Sequence, residues 1–122
     1  MHSILVVEDN VLNLRLAEAT LTNAGYRVFV AMSTEEALPL LHAHRPDVVL
    51  MDIHLPRMDG LTALAYLRTD PGSRSTKVIA VTGMAAKGDR ERLLAGGFDG
   101  YVSKPHTTAE LLGAVKAALG GT

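Results

Sequence analysis

The sequence predicts a doubly wound α/β domain, a parallel sheet covered by helices on both faces. Two observations predict it. Short apolar runs alternate with longer helix-period stretches five times along the chain. The runs are apolar almost throughout, as strands buried on both faces are, rather than alternating apolar with polar.

Taken in order, "SILVV" (Ser3 to Val7) is the first strand, closed by Glu8 and Asp9. A helix follows over Asn10 to Ala24, with positions 13, 16, 17, 20, 21 and 24 read as its buried face and Gly25 as its stop. Val11, Leu14, Arg15 and Glu18 then fall on the solvent arc. "RVFVA" (Arg27 to Ala31) is β-branched and aromatic, hence a strand. Ser33 with Glu36 reads as a capping box for a helix to about His44, although Pro39 inside it removes a backbone bond. "DVVLM" (Asp47 to Met51) is the third strand and Leu61 to Thr69 a short helix; Asp70-Pro71-Gly72-Ser73 is a loop. "VIAVT" (Val78 to Thr82) is the fourth strand, Lys87 to Ala95 a helix ended by Gly96-Gly97, and "GYVS" (Gly100 to Ser103) the fifth strand. Thr107 with Glu110 starts a last helix that runs to Leu119, with Gly120 at its C-cap.

The bulk numbers narrow the function. At 122 residues the chain fits one domain, expected over 1–122, and 48% hydrophobic against 20% charged residues supports a packed core. Lys plus Arg is 12 and Asp plus Glu is 13, so no basic face for nucleic acid is expected. With no cysteine there is no disulfide, thiolate metal site or thiol nucleophile. No apolar run is long enough for a membrane span. Met1-His2-Ser3 leads straight into a strand, so no signal peptide is expected, and a cytoplasmic location is compatible.

Polar residues gather where the strands end. The first strand runs into Glu8-Asp9, the third into Asp52, the fourth ends on Thr82, and the fifth runs into Ser103-Lys104-Pro105. In the flavodoxin-like strand order 2-1-3-4-5, strands one and three are neighbours at the switch point where such sheets bind ligands. Glu8, Asp9 and Asp52 would then lie together. Three carboxylates in one place raise one another's pKa unless a cation joins them, and a hard, oxygen-seeking ion such as Mg2+ fits. Lys104 and Thr82 add a point charge and a hydroxyl on the other flank. That set suits an incoming phosphoryl group attacked by a carboxylate. Each of these residues alone is an ordinary loop residue. Their joint placement at the ends of one sheet carries the inference.

"ILVVEDN", "DVVLMDIHLPRMDG", "VIAVTG" and "YVSKP", in that order and spacing, resemble the receiver domain of response regulators in two-component signalling. The resemblance covers essentially the whole chain. "KGDRERLLAGGFDGYVSKP" is similar to small single-domain regulators of the DivK type and to receivers of hybrid kinases. The resemblance implies that Asp52 accepts the phosphoryl group. It implies that Glu8, Asp9, Asp52 and the backbone carbonyl of His54 hold Mg2+, and that Lys104 binds a phosphoryl oxygen. Thr82 and Tyr101 would be the switch pair, acting on the fourth helix, fifth strand and fifth helix, with the segment Gly83 to Asp89 free to rearrange. Lys104-Pro105 would be cis, although trans is the ordinary preference of an X-Pro bond. His54 and Met84 would tune the phosphoryl lifetime. Neither is acidic or amide-bearing, so slow self-dephosphorylation is expected.

The expected function is therefore phosphorelay signalling rather than turnover of a substrate. A histidine kinase or histidine phosphotransfer protein would be the donor and a downstream protein the target, with no nucleic acid or membrane partner, and the protein a monomer or weak dimer. Val11 and Leu14 on the first helix would dock the donor. His2, His42, His44 and His106 read as plain surface residues. The alternative is an unphosphorylated pseudo-receiver. A dehalogenase-type phosphatase would want a second Asp where His54 stands. A nucleotide-binding fold would want a glycine-rich loop after the first strand, where "EDNVLN" has none, and a flavin carrier a hydroxyl-rich one.

Overall fold

The computed structural model describes residues 1–53, 59–83 and 88–120. Five strands, β1 (Ser3–Val7), β2 (Arg27–Ala31), β3 (Val48–Asp52), β4 (Lys77–Thr82) and β5 (Gly100–Ser103), alternate with helices. These are α1 (Val11–Asn23), α2 (Thr34–His44), α3 (Gly60–Leu67), α4 (Asp89–Ala95) and α5 (Thr108–Ala118). All strands pair in parallel in the order β2-β1-β3-β4-β5, the order expected. Among the described residues no helix is long and apolar enough to cross a membrane.

The pleat splits each strand between two cores, because successive side chains point to opposite faces. Ile4, Val6, Val48, Leu50, Ile79, Val81 and Val102 pack under α1 and α5. Leu5, Val7, Val49, Met51, Val78 and Ala80 pack under α2, α3 and α4. Each fully buried Ile, Leu or Val contributes about 1.5–3 kcal/mol relative to exposure. This two-sided burial is why the strands are apolar without alternation.

Helix starts follow local chemistry. Asn10, Ser33, Asp59 and Thr107 each accept a backbone N–H from the third residue on. At α5 the Glu110 carboxylate returns the bond to Thr107, a full capping box. At α2 the Glu36 carboxylate instead accepts from the Met32 N–H at 3.1 Å, one residue before the cap. Pro39 is exposed and α2 runs through it. The helix ends at Arg45, which has φ of 50° and stands before Pro46, a position where the α region is disfavoured.

Several boundaries and one helix face differ from expectation. β3 begins after Asp47, whose carboxylate accepts from the Ser3 N–H at 2.9 Å, and it includes Asp52. α3 is shifted toward the chain start and ends at Leu67, and residues 71–75 form a 3-10 turn with Pro71 at its first position. α4 begins at Asp89, and Lys87 lies outside the described residues. On α1 the buried stripe is Leu14 and Leu21 with half-buried Ala17 between, spaced i, i+3, i+7. The expected face held Ala17 and Leu21 rightly but took Asn13 and Leu16, both exposed, in place of Leu14. Leu14 is therefore core at 2% exposure, and the exposed apolar residues are Val11, Leu12 at 68% and Leu16 at 58%.

Three of the histidines expected as plain surface residues have partners. His42 Nδ1 lies 2.9 Å from Asp70 Oδ1, whose other oxygen accepts from Arg45 at 2.9 Å. His44 stacks on Phe29 with ring centroids 4.1 Å apart. His2 Nδ1 lies 3.5 Å from Asp47. No spacing rule joins residues 28 apart in sequence, so these pairings were not legible. His106 is half-buried, with no hydrogen-bond partner among the described residues for its buried Nδ1.

Candidate functional site

Strand ends build the site. The ladder continues one residue past three strands: Glu8 N–H donates to Ala31 O at 3.0 Å, Ile53 N–H to Val81 O at 3.1 Å, and Lys104 N–H to Thr82 O at 2.6 Å. These bonds hold the functional residues at the rim. Pleat parity then assigns faces. Glu8 follows Val6, Asp52 follows Leu50, and Lys104 follows Val102, all on the α1/α5 side. Thr82 follows Ala80 and Tyr101 packs on the other core, on the α2–α4 side.

The structure brings the charged residues together as expected. Oxygens of Glu8, Asp9 and Asp52 lie within 4.8 Å of one another. Glu8 is buried and Asp9 exposed, so the acid pair is unequal in a way that adjacent positions in sequence did not reveal. Lys104 Nζ donates to Glu8 Oε1 at 2.7 Å and to Asp52 Oδ2 at 3.4 Å. Thr82 is fully buried and Tyr101 half-buried. Lys104-Pro105 is cis. His54 and Met84 lie outside the described residues.

Burial raises the pKa of Glu8 above its ordinary 4.5, and the neighbouring Asp52 carboxyl raises it further, while Lys104 opposes both. Burial pulls Lys104 down, yet its bond to Glu8 and the charges of Asp52 and Glu8 outweigh this and leave it raised. The cluster is a place where negative charge is crowded and only partly met. Among the described residues, Glu8 Oε2 is buried with no hydrogen-bond donor. An orphaned carboxylate oxygen among three hard oxygen donors fits a divalent cation of the Mg2+ kind.

The site opens on a cleft of about 530 Å3 between α1 and α5, walled by Leu16, Ala17, Thr20, His106 and Leu111. Sequence reasoning missed it. Its walls come from two helices far apart in the chain, and no local pattern announces a gap between them.

A carboxylate at a strand end, a cation-binding acid cluster, a lysine within reach of both and a buried threonine beyond them make a phosphoryl-acceptor arrangement. The family model for the response regulator receiver domain matches residues 4–116. The chain belongs to this family. Response-regulator receiver domains act in two-component signalling, and this receiver shares their phosphorelay role at the family level. It is 42% identical over 118 residues to the polar-differentiation response regulator DivK of Brucella anthropi, covering 97% of this chain and 96% of that one. The receiver domain of a sensor histidine kinase from Pseudomonas aeruginosa PAO1, solved with a magnesium ion coordinated in its active site cleft, is 37% identical. It covers 98% of both chains with a TM-score of 0.87. The chemotaxis protein CheY4 of Vibrio cholerae superposes with a TM-score of 0.89 at 26% identity, covering 97% of this chain and 98% of that one.

Proposed function

We propose that this receiver accepts a phosphoryl group on Asp52 from a phosphohistidine donor, a histidine kinase or phosphotransfer protein. The observation that carries the reading is Asp52 at the end of β3 with Lys104 Nζ 3.4 Å from its carboxylate and Glu8 and Asp9 beside it. A carboxylate oxygen of Asp52 attacks phosphorus in line as the bond to the donor's imidazole nitrogen breaks, and the imidazole leaves with the electron pair. Lys104 donates to a phosphoryl oxygen, and Thr82 hydrogen bonds to the new group. Glu8, Asp9 and Asp52, with the His54 carbonyl, would hold Mg2+, which when bound supplies positive charge against the phosphoryl oxygens. The protein promotes only its own phosphoryl transfer and a slow dephosphorylation.

The signal then reaches a downstream protein through Thr82 and Tyr101. Contacts that exist only in the phosphorylated state shift a two-state surface made of α4, β5 and α5. Exposed Leu16, on the wall of the cleft, and exposed Leu12, one turn before it on α1, form the apolar strip on which the donor's helices would dock. A cytoplasmic location, a single domain over 1–122, and a monomer or weak dimer go with this reading.

The test is to incubate the protein with a small-molecule phosphodonor and Mg2+ and weigh it. A gain of one phosphoryl group in the wild type and none in Asp52→Ala is expected. No gain, or an equal gain in the variant, overturns the reading and leaves a pseudo-receiver.

A further inference from the structure

The phosphoryl site does not use up the cleft between α1 and α5. Its charged lining residues, Glu8, Asp52 and Lys104, are strand-end residues at the rim. Beyond them the lining is largely apolar. Val6, Leu50 and Val81 of the sheet lie beneath it, and Leu16, Ala17 and Leu111 wall it. Its volume of about 530 Å3 falls in the range of small-molecule pockets, about 300–1,000 Å3. Such pockets pair an apolar lining with a few polar groups that orient the ligand. Here those groups are Asn13 and Thr20 of α1, with His106 and Thr108 on the α5 side. His106 supplies a second observation. Its Nδ1 is buried and, among the described residues, has no hydrogen-bond partner. A ring nitrogen shut away from water and left unpaired carries a cost that a bound polar atom would relieve.

Charge narrows the ligand. At the rim three acids, Glu8, Asp9 and Asp52, stand against the single ammonium of Lys104, which disfavours an anionic head group. Away from the rim no lining residue among those described carries a fixed charge, so a charged group placed there would be buried unpaired. A neutral molecule remains. Nδ1 donates or accepts according to tautomer, and a hydroxyl can do both. We propose that the α1–α5 cleft binds a small uncharged alcohol or phenol, its hydrocarbon body between Leu16, Ala17 and Leu111 and its hydroxyl hydrogen bonded to the His106 ring. This site goes beyond the phosphoryl-acceptor reading and does not depend on it. It gives the receiver a second, chemical input. Leu16 belongs both to this wall and to the strip proposed for the donor, so an occupied cleft changes the surface that the donor meets.

The test is to titrate the full chain with 4-ethylphenol, with and without saturating Mg2+, and to follow the backbone amides by nuclear magnetic resonance. Saturable shifts centred on Ala17, Thr20, His106 and Leu111 are expected in both conditions. His106→Phe keeps a ring and loses its nitrogens, and should weaken binding about fivefold or more, the scale of one hydrogen bond. Ala17→Leu adds bulk to the α1 wall and should abolish the shifts while the spectrum stays that of a folded protein. Ala17 also packs against the core, so Thr20→Met serves as a second filling variant with the same expected loss. Shifts that never saturate, or that scatter over the surface, overturn the proposal. Displacement of the probe by Mg2+ would put it in the acid cluster and overturn it too. Undiminished affinity in His106→Phe overturns the hydroxyl's place, and undiminished affinity in the folded filling variants overturns the cleft.

Discussion

Gly60 lies against Ile53 so closely that a Cβ at position 60 would sit 2.8 Å from both Ile53 Cβ and Cγ2. The contact joins the first residue of α3 to the residue immediately after Asp52. Glycine in a helix ordinarily costs about 0.5–1 kcal/mol relative to alanine. Overpacking a filled site costs about 1–3 kcal/mol. The clash wins, so Gly60→Ala is expected to destabilise the protein by about 1–2 kcal/mol in urea denaturation. Combining it with Ile53→Ala, which removes Cγ2, should cost less than the sum of the two single changes. Strict additivity would show that the contact is not the cause.

The pH response of the metal-free protein follows from Glu8. Its folded pKa is raised by burial and by Asp52 above 4.5. The folded state therefore holds this proton more tightly than the unfolded chain, and stability falls as pH rises from the ordinary value through the folded one. Glu8→Gln cannot ionise and escapes that loss. With chelator present, the Tm of Glu8→Gln minus that of wild type should be more positive at about pH 7 than at about pH 4. Mg2+ should reduce the difference at neutral pH by stabilising only the wild type's full acid cluster. A difference that does not change with pH would remove the assignment.

Leu12 and Leu16 supply a test of donor docking. Both are exposed, at 68% and 58%, so polar replacements there disturb little of the core. Leu12→Glu and Leu16→Glu should each slow transfer from a phosphohistidine protein by about tenfold or more, the scale of a lost interface anchor. Phosphorylation of Leu12→Glu by a small-molecule donor should match wild type. Equal losses with both donors would place the effect in the site rather than the docking strip.

The lifetime of the phosphoryl group tests the reading of positions 54 and 84. Without an acid or amide at either, hydrolysis in Mg2+ should take minutes or longer, followed by the decay of the phosphorylated mass. Met84→Asn or His54→Glu should shorten it severalfold. Wild-type hydrolysis within seconds would sink the idea.

The strand order and the gathering of Glu8, Asp9, Asp52 and Lys104 were legible because strand ends of a parallel sheet converge, and this chain ends its apolar runs on those residues. The unequal burial of Glu8 and Asp9 was not legible. Adjacent residues at a strand end point to opposite sides, and only the packed helices decide which side is dry. The face of α1 was misread in part: Ala17 and Leu21 were placed rightly, but Asn13 and Leu16 also fit helical spacing with them and displaced Leu14, which the packing buries. The pairing of Asp70 with His42 and Arg45 depends on how α2 meets the turn before β4, which no local spacing encodes.

Pleat parity sets Glu8, Asp52 and Lys104 on one side of the sheet and Thr82 and Tyr101 on the other. On the proposed reading, the acceptor sits on the α1/α5 side and the pair that would carry its state sits on the α4 side, so they meet only at the rim of the sheet. A donor seated against α1 would leave α4 open, while α5, which shares the cleft with α1, would be the element where donor and target meet. The register of β4 is then indispensable: slipping it by one residue would turn Thr82 from the α2–α4 side to the α1/α5 side, away from Tyr101.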